Sequence, residues 1–259
     1  APKSSRPVCP LVSERSVSLV SQGITLSVVL PAYNEEKLIY DTLRRISAYL
    51  DLKGSAWEVL VVDDGSKDRT QDVVLKYIQE HAGQAVRILR FDPNHGKGFA
   101  ARQGMLAAKG RYVLLTDADL SAPIKESDKL IAAIERGCDV AIGSRGVHAP
   151  GCDVRQSFKR RLSGRVFNFF VQALALPGIQ DSQCGFKCFS SAATKKIFSE
   201  QKLDGFAFDV EALYLARRFG YRIAEVPIMW SEGRDSKINL FCDPILMLKD
   251  LLKIKTLHN

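Results

Sequence analysis

Short apolar runs alternate with helix-like segments between residues 25 and 145. Five runs rich in Val, Leu and Ile predict strands, because their continuous apolar character indicates burial on both faces of a sheet. These runs are 25–31, 57–64, 86–91, 111–117 and 139–145. Apolar residues at helical spacing behind polar starts predict helices over 34–50, 66–82 and 96–110. This βαβα order predicts an α/β fold with a doubly wound, mainly parallel sheet that binds ligands outside the carboxyl ends of its strands.

The size of the chain suits one catalytic domain with a full core, because it has 259 residues of which 46% are hydrophobic. We expect an N-terminal extension over 1–23, the catalytic domain over 24–240 and an amphipathic helical segment over 241–259. No stretch reaches the roughly 18 apolar residues that a membrane span needs. The six cysteines show no C-x-x-C spacing and lie far from the four histidines, so the sequence does not predict a zinc site.

The net charge of +8 favours an anionic partner, which is a phosphorylated ligand, an acidic membrane surface or a nucleic acid. Charge alone does not choose among these three. A nucleic-acid-binding module would also need basic and aromatic residues on one groove-sized face.

Acidic residues stand where two predicted strands end. Asp63 and Asp64 close the strand 57–64, and Asp117 and Asp119 follow the strand 111–117. In an extended segment residues i and i+2 point the same way, so Asp117 and Asp119 can offer two oxygens to one hard cation such as Mg²⁺ or Mn²⁺. An isolated D-x-D is more often a solvated turn, but here the acids do not stand alone.

Two further segments complete this edge of the predicted sheet. After the first strand, Tyr33 can stack on a ligand and Glu35 can hydrogen-bond to it. At the end of the second strand, Asp63 can hydrogen-bond to a base or ribose. In "NHGKGFAARQG", backbone N–H groups, Lys97 and Arg102 can meet a phosphate. This segment lacks the Ser or Thr of a Walker A loop, but it carries a loose dinucleotide fingerprint, Gly96-x-Gly98-x-x-Ala101, which leaves an NAD-type oxidoreductase open.

The ordered set of motifs resembles the family 2 glycosyltransferases with the GT-A fold. The motifs are "SVVLPAYNEE", "VLVVDDGSKDRT", "NHGKG", "TDADLSAP", "GSR", "DSQCGFKCF" and "FAFDVEALYLARRFGYRIAEVPIMW". Within that family the chain is similar to the dolichyl-phosphate β-glucosyltransferases and related polyprenyl-phosphate glycosyltransferases, from about residue 24 to about residue 240. Each motif alone has little specificity, whereas the set in this order is highly specific.

The resemblance implies roles for individual residues. It implies a metal site at Asp117 and Asp119, with Ser121 at the position of a further polar ligand. The donor would be bound by Pro31, Ala32, Tyr33, Glu35, Asp63, Lys97, Arg102, Asp117, Gln183 and Asp209. The acceptor phosphate would lie near Ser144, Arg145, Arg160 and Arg161. The catalytic residues would be Asp119, Arg145, Asp181 and Lys187, and Phe208 and Glu211 complete the F-D-x-E helix start below the donor sugar.

The implied reaction is a metal-dependent, inverting sugar transfer with Mg²⁺ or Mn²⁺ as cofactor. UDP-glucose is the favoured donor and dolichyl or polyprenyl phosphate the acceptor, and GDP-mannose remains the alternative donor. The oxidoreductase and the nucleic-acid-binding module rank below, because the fingerprint leaves Asp117 and Asp119 unexplained. We expect no nucleic-acid partner, and the protein is expected at the cytoplasmic face of a membrane, the endoplasmic reticulum in a eukaryote or the plasma membrane in a prokaryote.

The segment after "GSR" fits a lipid acceptor. Residues 155–165 carry Arg155, Lys159, Arg160, Arg161 and Arg165, and an aromatic and aliphatic stretch follows through Phe167, Phe169, Phe170 and Leu174. A basic amphipathic helix of this kind can lie at an anionic membrane surface. The alternative is a helix that covers the sheet and exposes a solvated basic face.

Overall fold

The structure is a computed structural model that describes residues 23–147, 149–155, 157–232 and 243–258. It confirms the α/β fold with a mainly parallel sheet. The strands are β1 (Leu26–Ala32), β2 (Trp57–Asp64), β3 (Val86–Phe91), β4 (Tyr112–Thr116), β5 (Val140–Ser144), β6 (Val154–Arg155), β7 (Phe186–Ser190), β8 (Ile223–Pro227) and β9 (Trp230–Ser231). The helices are α1 (Ile39–Lys53), α2 (Thr70–Glu80), α3 (Lys97–Ala107), α4 (Ser127–Glu135), α5 (Phe158–Leu174), α6 (Ser191–Glu200), α7 (Phe208–Arg218) and α8 (Asp243–Leu257).

The main sheet has the strand order β3-β2-β1-β4-β7-β5-β8. Only β7 runs against the other six strands, because it pairs antiparallel with both β4 and β5. β6 and β9 form a separate parallel pair. The chain adds β2 and β3 on one side of β1 and then returns through α3 to place β4 on the other side. This reversal between β1 and β4 is the point at which open α/β sheets bind ligands.

Both faces of the sheet are covered by helices, which is why its strands read as continuous apolar runs. On one face Val28 and Leu30 of β1 pack in a core with α1, α2 and α4. On the other face Val29 packs in a core with residues of α3 and α5 to α8. Successive side chains of a strand point to opposite faces, so a single apolar run supplies both cores.

The predicted C-terminal helical segment is confirmed as α8, whose Leu251 and Ile254 are buried in the second core. The predicted domain boundaries near residues 23 and 240 stay predictions, because 1–22 and 233–242 lie outside the described residues. Of the helices within the described ranges, none combines the length and the apolar character that crossing a bilayer requires.

Close contact between α3 and the sheet depends on Gly104. A Cβ atom at this position would lie 2.4 Å from Val29 Cγ1 and 2.8 Å from Val62 Cγ2. We therefore expect Gly104→Ala to lower the free energy of unfolding by about 1–3 kcal/mol through overpacking, despite the better helix propensity of alanine. Urea unfolding measures this change.

The matched control is Gly164→Ala in α5, where a Cβ atom would have no neighbour within 4 Å. This variant should be neutral or more stable by up to about 1 kcal/mol, because alanine favours the helix. Equal effects of the two substitutions would contradict the packing argument.

Candidate active site

The carboxyl ends of β1, β2, β4 and β5 lie at one edge of the sheet, and the start of β7 joins them. Register aligns Ala32 of β1 with Asp63 of β2, and Thr116 of β4 with Phe186 of β7. The antiparallel direction of β7 therefore brings Gly185 beside Asp117, so close that a Cβ atom at 185 would lie 2.1 Å from Asp117 Oδ2. This edge collects most of the site residues that the sequence predicted.

The loops that follow β1 and β2 are held together by hydrogen bonds. The backbone N–H of Asn34 donates to Ser66 Oγ at 2.9 Å, and that of Glu35 donates to Thr70 Oγ1 at 2.7 Å. Asn34 has a positive φ of 55°. Because residues 34–38 form this loop, α1 begins at Ile39 instead of the predicted residue 34. Pro31 and Ala32 end β1 next to the loop, with Tyr33 half-buried in it.

Asp63 and Asp64 are both buried, and each is tied to different groups. Asp63 accepts from the N–H of Ser66 at 3.0 Å and from Arg90 Nη1 at 2.7 Å. Asp64 accepts from the N–H groups of His95 and Gly96, the latter at 2.7 Å. Asp64 thus holds the segment before α3. The carboxylate of Asp63, which the sequence predicted to bind a base or ribose, is fully buried.

The expectation that backbone N–H groups at the start of α3 meet a phosphate is wrong for three of them. The carbonyl of Asp204 accepts from the N–H groups of Gly98 and Phe99 at 2.7 and 3.2 Å, and Asp64 takes that of Gly96. Arg102 also turns to Asp204, at 2.8 Å. The loose dinucleotide fingerprint therefore lacks the free amides that a pyrophosphate requires.

Lys97 is the residue of this segment that reaches the D-x-D. Its ammonium donates to Asp117 Oδ1 at 2.6 Å. Burial alone would lower the pKa of Lys97, but the negative charges of Asp117, Asp209 and Asp119 raise it well above its usual value. Lys97 therefore stays cationic, and three carboxylates act on it.

Asp119 lies in a turn, not on an extended strand. β4 ends at Thr116, and the N–H of Leu120 donates to the carbonyl of Asp117 at 3.2 Å. The predicted reason for a shared direction of Asp117 and Asp119 is therefore wrong, since alternation holds only in extended backbone. Ser121 donates its N–H and its hydroxyl to the carboxylate of Asp119, at 2.9 and 2.8 Å.

Arg145 and Asp181 form a fork-like ion pair at the end of β5. Arg145 Nε and Nη2 donate to the two carboxylate oxygens at 2.7 Å each, and the backbone N–H of Arg145 adds a third bond. Burial alone would lower the pKa of Arg145, but the hydrogen bonds and charge of Asp181 raise it above its usual value. The guanidinium carbon also lies 5.2 Å from the ring centre of Trp230. The preceding residue, Ser144, is buried.

Lys187 is a buried ammonium in the centre of the sheet edge. It donates to Asp209 Oδ1 at 2.6 Å and to the carbonyl of Cys184 at 2.5 Å. Burial raises the pKa of the Cys184 thiol to about 12, so this cysteine stays protonated. Gln183 lies half-buried nearby, with its amide nitrogen 3.9 Å from the sulfur of Met247.

Glu211, the last residue of the F-D-x-E motif, anchors backbone. Its carboxylate accepts from the N–H groups of Lys202 and Leu203 at 2.8 Å each, and it lies 2.7 Å from His258 Nε2. It therefore ties the loop before Asp204 to the end of the C-terminal segment. Arg160 and Arg161 belong to the backbone of α5, but their side chains lie outside the described residues.

The oxygen donors around Asp117 fit a hard divalent cation. A small pocket of about 170 Å³, its solvent-open mouth included, is lined by Thr116, Asp117, Ser121, Ala122, Gly185, Phe186 and Trp230. Across the described part of the chain, no three His, Cys, Asp or Glu side chains gather into a metal site. Two aspartates suffice for Mg²⁺ or Mn²⁺ when substrate phosphates supply further ligands. Asp117 and Asp119 are the residues that would hold it.

Sequence reasoning missed several residues that support the site. Arg90 pairs with Asp63 across the register of β2 and β3. Glu225 of β8 accepts from the N–H groups of Gln180 and Asp181 at 2.8 and 2.9 Å and so fixes the partner of Arg145. Gly185 and Trp230 stand inside recognised motifs, but no local pattern gives their contacts. An unusual charge inside an apolar strand, as at Arg90, was the one available signal.

Comparison with known proteins gives a consistent result. The model of the family described as "Glycosyl transferase family 2" matches residues 27–198. A dolichyl-phosphate β-glucosyltransferase of Saccharomyces cerevisiae is 40% identical over 251 residues, which cover 90% of this chain and 75% of that protein. The enzyme of the same name in Drosophila melanogaster is 38% identical over 245 residues, with the same coverage of 90% and 75%.

Solved structures share the fold. Glucosyl-3-phosphoglycerate synthase from Mycobacterium tuberculosis, in complex with Mn²⁺ and UDP-glucose, aligns with a TM-score of 0.63 at 20% identity. The alignment covers 95% of this chain and 85% of that one. A complex of the same synthase with UDP gives a TM-score of 0.66 at 20% identity, over 97% and 87% of the two chains.

The Lys187–Asp209 pair should dominate the stability of this edge. Asp209→Ala would leave a buried ammonium without its carboxylate, so we expect a loss of about 3–5 kcal/mol in the free energy of unfolding, measured in urea. The double variant Lys187→Met with Asp209→Leu should recover most of this loss, because it removes both charges.

The control pair is Arg44–Asp41 on the surface of α1, where both side chains are more than half exposed. Asp41→Ala should change stability by less than about 0.5 kcal/mol. If Asp209→Ala cost no more than Asp41→Ala, the ammonium of Lys187 would have another partner and the argument would fail.

Proposed function

Because this chain belongs to glycosyl transferase family 2, we propose that it transfers glucose from UDP-glucose to dolichyl or a related polyprenyl phosphate. The protein is a glycosyltransferase, and the product proposed here is a β-linked lipid phosphosugar. The observation that carries the proposal is the arrangement around Asp117, where oxygen donors and the ammonium of Lys97 meet at the switch point of the sheet. After the larger effect of Asp181, the negative charge of Asp117 also contributes to the raised pKa of Arg145. The names of the relatives at 38% and 40% identity support the choice of sugar and lipid.

The donor diphosphate is assigned to Asp117, Asp119 and Lys97. Asp117 and Asp119 would hold Mg²⁺ or Mn²⁺, whose charge would stabilise the negative charge that develops on the leaving group. Lys97 adds a fixed positive charge at the same place, because the surrounding carboxylates keep it protonated. Asp117 and Ser121 line the pocket in which this charge would be neutralised.

The nucleotide is assigned to the ends of β1 and β2. Pro31, Ala32, Tyr33 and Glu35 form one wall in this proposal. Asp63 contributes by holding Arg90 and the N–H of Ser66, since it is fully buried. The sugar would lie toward Gln183 and Asp209. Arg102 is engaged by Asp204, so its contribution to the donor site would be to hold the 201–204 loop in place.

The acceptor phosphate is assigned to Ser144 and Arg145. Nε and Nη2 of Arg145 both donate to Asp181, which fixes the plane of the guanidinium. Nη1 therefore lies on the side of the guanidinium that faces away from this carboxylate. A phosphate monoester has a second pKa near 6, so at pH 7 the acceptor is already mostly dianionic and needs no strong general base. Alignment of its oxygen with the anomeric carbon supplies much of the acceleration.

A single displacement with inversion suits the side chains at hand. The Cys184 thiol is kept protonated and buried, so it is a poor nucleophile for a covalent intermediate. Asp181 and Asp209 are each committed to a cation, Arg145 and Lys187. They would position the reacting groups and sugar hydroxyls, and the reaction would take place at the cytoplasmic face of a membrane.

A donor panel with a polyprenyl phosphate acceptor tests the proposal. In Mg²⁺ or Mn²⁺ the unmodified protein should form a glucosylated lipid from UDP-glucose, identified by its mass, and Asp119→Asn or EDTA should abolish the product. The exposed Asp72→Asn in α2 serves as the control and should keep full activity. A mannosylated product from GDP-mannose alone would overturn the choice of donor, and full activity in EDTA would overturn the metal role.

Arg145 should act on the acceptor phosphate whatever lipid is attached to it. Arg145→Ala should lower kcat/KM by about two to three orders of magnitude with a long-chain acceptor and with a short, water-soluble one. Arg145→Lys should recover little, because it keeps the charge but loses the planar fork that binds Asp181. The exposed Arg44→Ala is the control. Full activity of Arg145→Ala on the short acceptor would place the phosphate elsewhere.

A further inference from the structure

Helix α5 has two apolar stripes, although a surface helix needs only one. Phe167 and Val171 are buried in the second core. A second stripe, here called the apolar ridge, consists of Val166, Phe169, Phe170 and Ala173, at the helical spacing i, i+3, i+4 and i+7. The exposed fractions of Val166, Phe169 and Phe170 are 53%, 68% and 39%. Large apolar side chains grouped on one exposed face mark an interaction surface.

We propose that the apolar ridge of α5 inserts into an anionic lipid bilayer and holds the protein on its surface. The charge of the same segment supports this occupant. From 154 to 180 the sequence has five basic residues, Arg155, Lys159, Arg160, Arg161 and Arg165, and no Asp or Glu. A helix with an apolar face and a basic start binds at the interface of membranes that carry negative lipids.

The two aromatic rings are arranged as one projecting group. Phe169 and Phe170 meet edge to face, with ring centres 5.8 Å apart. The Phe167 ring, one turn earlier in the pattern, points into the core instead. The aromatic stretch predicted from the sequence is thus divided between two sides of the helix: Phe167 lies in the core, and Phe169 and Phe170 lie on the exposed side.

The start of α5 lies near the residues assigned to the acceptor phosphate, and this relation rests on the proposed function. The strand β6 leads directly into α5 and pairs with β9, whose Trp230 lies next to Arg145. The N–H of Ser157 donates to Glu232 at 2.8 Å, so the start of α5 is fixed to this corner. A helix held on a bilayer by its apolar ridge therefore begins beside the part of the site assigned to the acceptor phosphate.

A second copy of this chain is a weaker occupant for the ridge. A two-fold dimer through α5 would bury the apolar ridge, but the segment 154–180 offers no Asp or Glu to pair with the basic residues of the other copy. A bilayer with anionic lipids attracts the basic residues and receives the aromatic side chains at the same time. Both contributions then favour the same orientation of the helix.

The experiment measures sedimentation with vesicles that contain no polyprenyl phosphate. The full chain should bind vesicles of phosphatidylcholine with phosphatidylglycerol, and less to pure phosphatidylcholine. The double variant Phe169→Ser with Phe170→Ser should lose at least about tenfold in partition, because its apolar contact is removed. The control is Leu52→Ser at the end of α1, where the leucine is 86% exposed, and it should bind as the unmodified protein does.

Folding and function are checked separately. The double variant should keep the thermal transition of the unmodified protein and its transfer to a short, water-soluble phosphate acceptor. If the unmodified protein transferred sugar to none of the acceptors, the proposed function would be refuted, and the vesicle measurement would still test the membrane proposal.

Four results would overturn the membrane proposal. The first is equal vesicle binding by the double variant and the unmodified protein. The second is binding that requires polyprenyl phosphate in the vesicle, which would assign the ridge to the acceptor tail. The third is a shift from dimer to monomer in light scattering, which would assign it to a second copy. The fourth is a lower thermal transition with unchanged vesicle binding, which would mean that another segment of the chain covers the ridge.

Discussion

Three cations at the carboxyl edge of the sheet each need a carboxylate, and the site depends on these ion pairs. The pairs are Lys97–Asp117, Arg145–Asp181 and Lys187–Asp209. For Lys187–Asp209, whose side chains are both buried, removing one partner costs about 3–5 kcal/mol, so this pair constrains how β7 and α7 can assemble. The side chains of Lys97 and Asp117 are partly exposed, so their pair contributes less to stability. The six residues come from two helices, one strand and three loops. The assembly of this end of the sheet and the charge pattern of the site therefore depend on the same ion pairs.

A second set of carboxylates supports these ion pairs by binding backbone N–H groups and not the three cations. Asp64, Glu211 and Glu225 each accept from two or more backbone N–H groups, and each fixes one loop. Carboxylates bind amides with charge-assisted hydrogen bonds, which are stronger than neutral ones. The ion pairs can then keep their geometry although three of their six residues lie on loops, where backbone is usually most mobile.

The site and the apolar ridge of α5 offer different surfaces to a ligand, the first charged and the second apolar. The edge near Asp117 combines oxygen donors with a protonated lysine, which suits a diphosphate and a divalent cation. The corner of Arg145 and Trp230 offers a fixed guanidinium, and α5 begins beside it. A substrate with a charged head and an apolar tail matches this sequence of surfaces, because its two ends need opposite environments.

The sequence by itself determined the five strands β1 to β5 and the residues at their ends. The bounds of β2 and β3 agree with the prediction because continuous apolar runs are a local property. The tertiary structure alone decided the antiparallel insertion of β7, which brings Gly185 against Asp117. It also decided that the amides of Gly98 and Phe99 at the start of α3 donate to Asp204 and are not free for a phosphate. These contacts join residues about 70 to 100 positions apart, and no local periodicity carries that information.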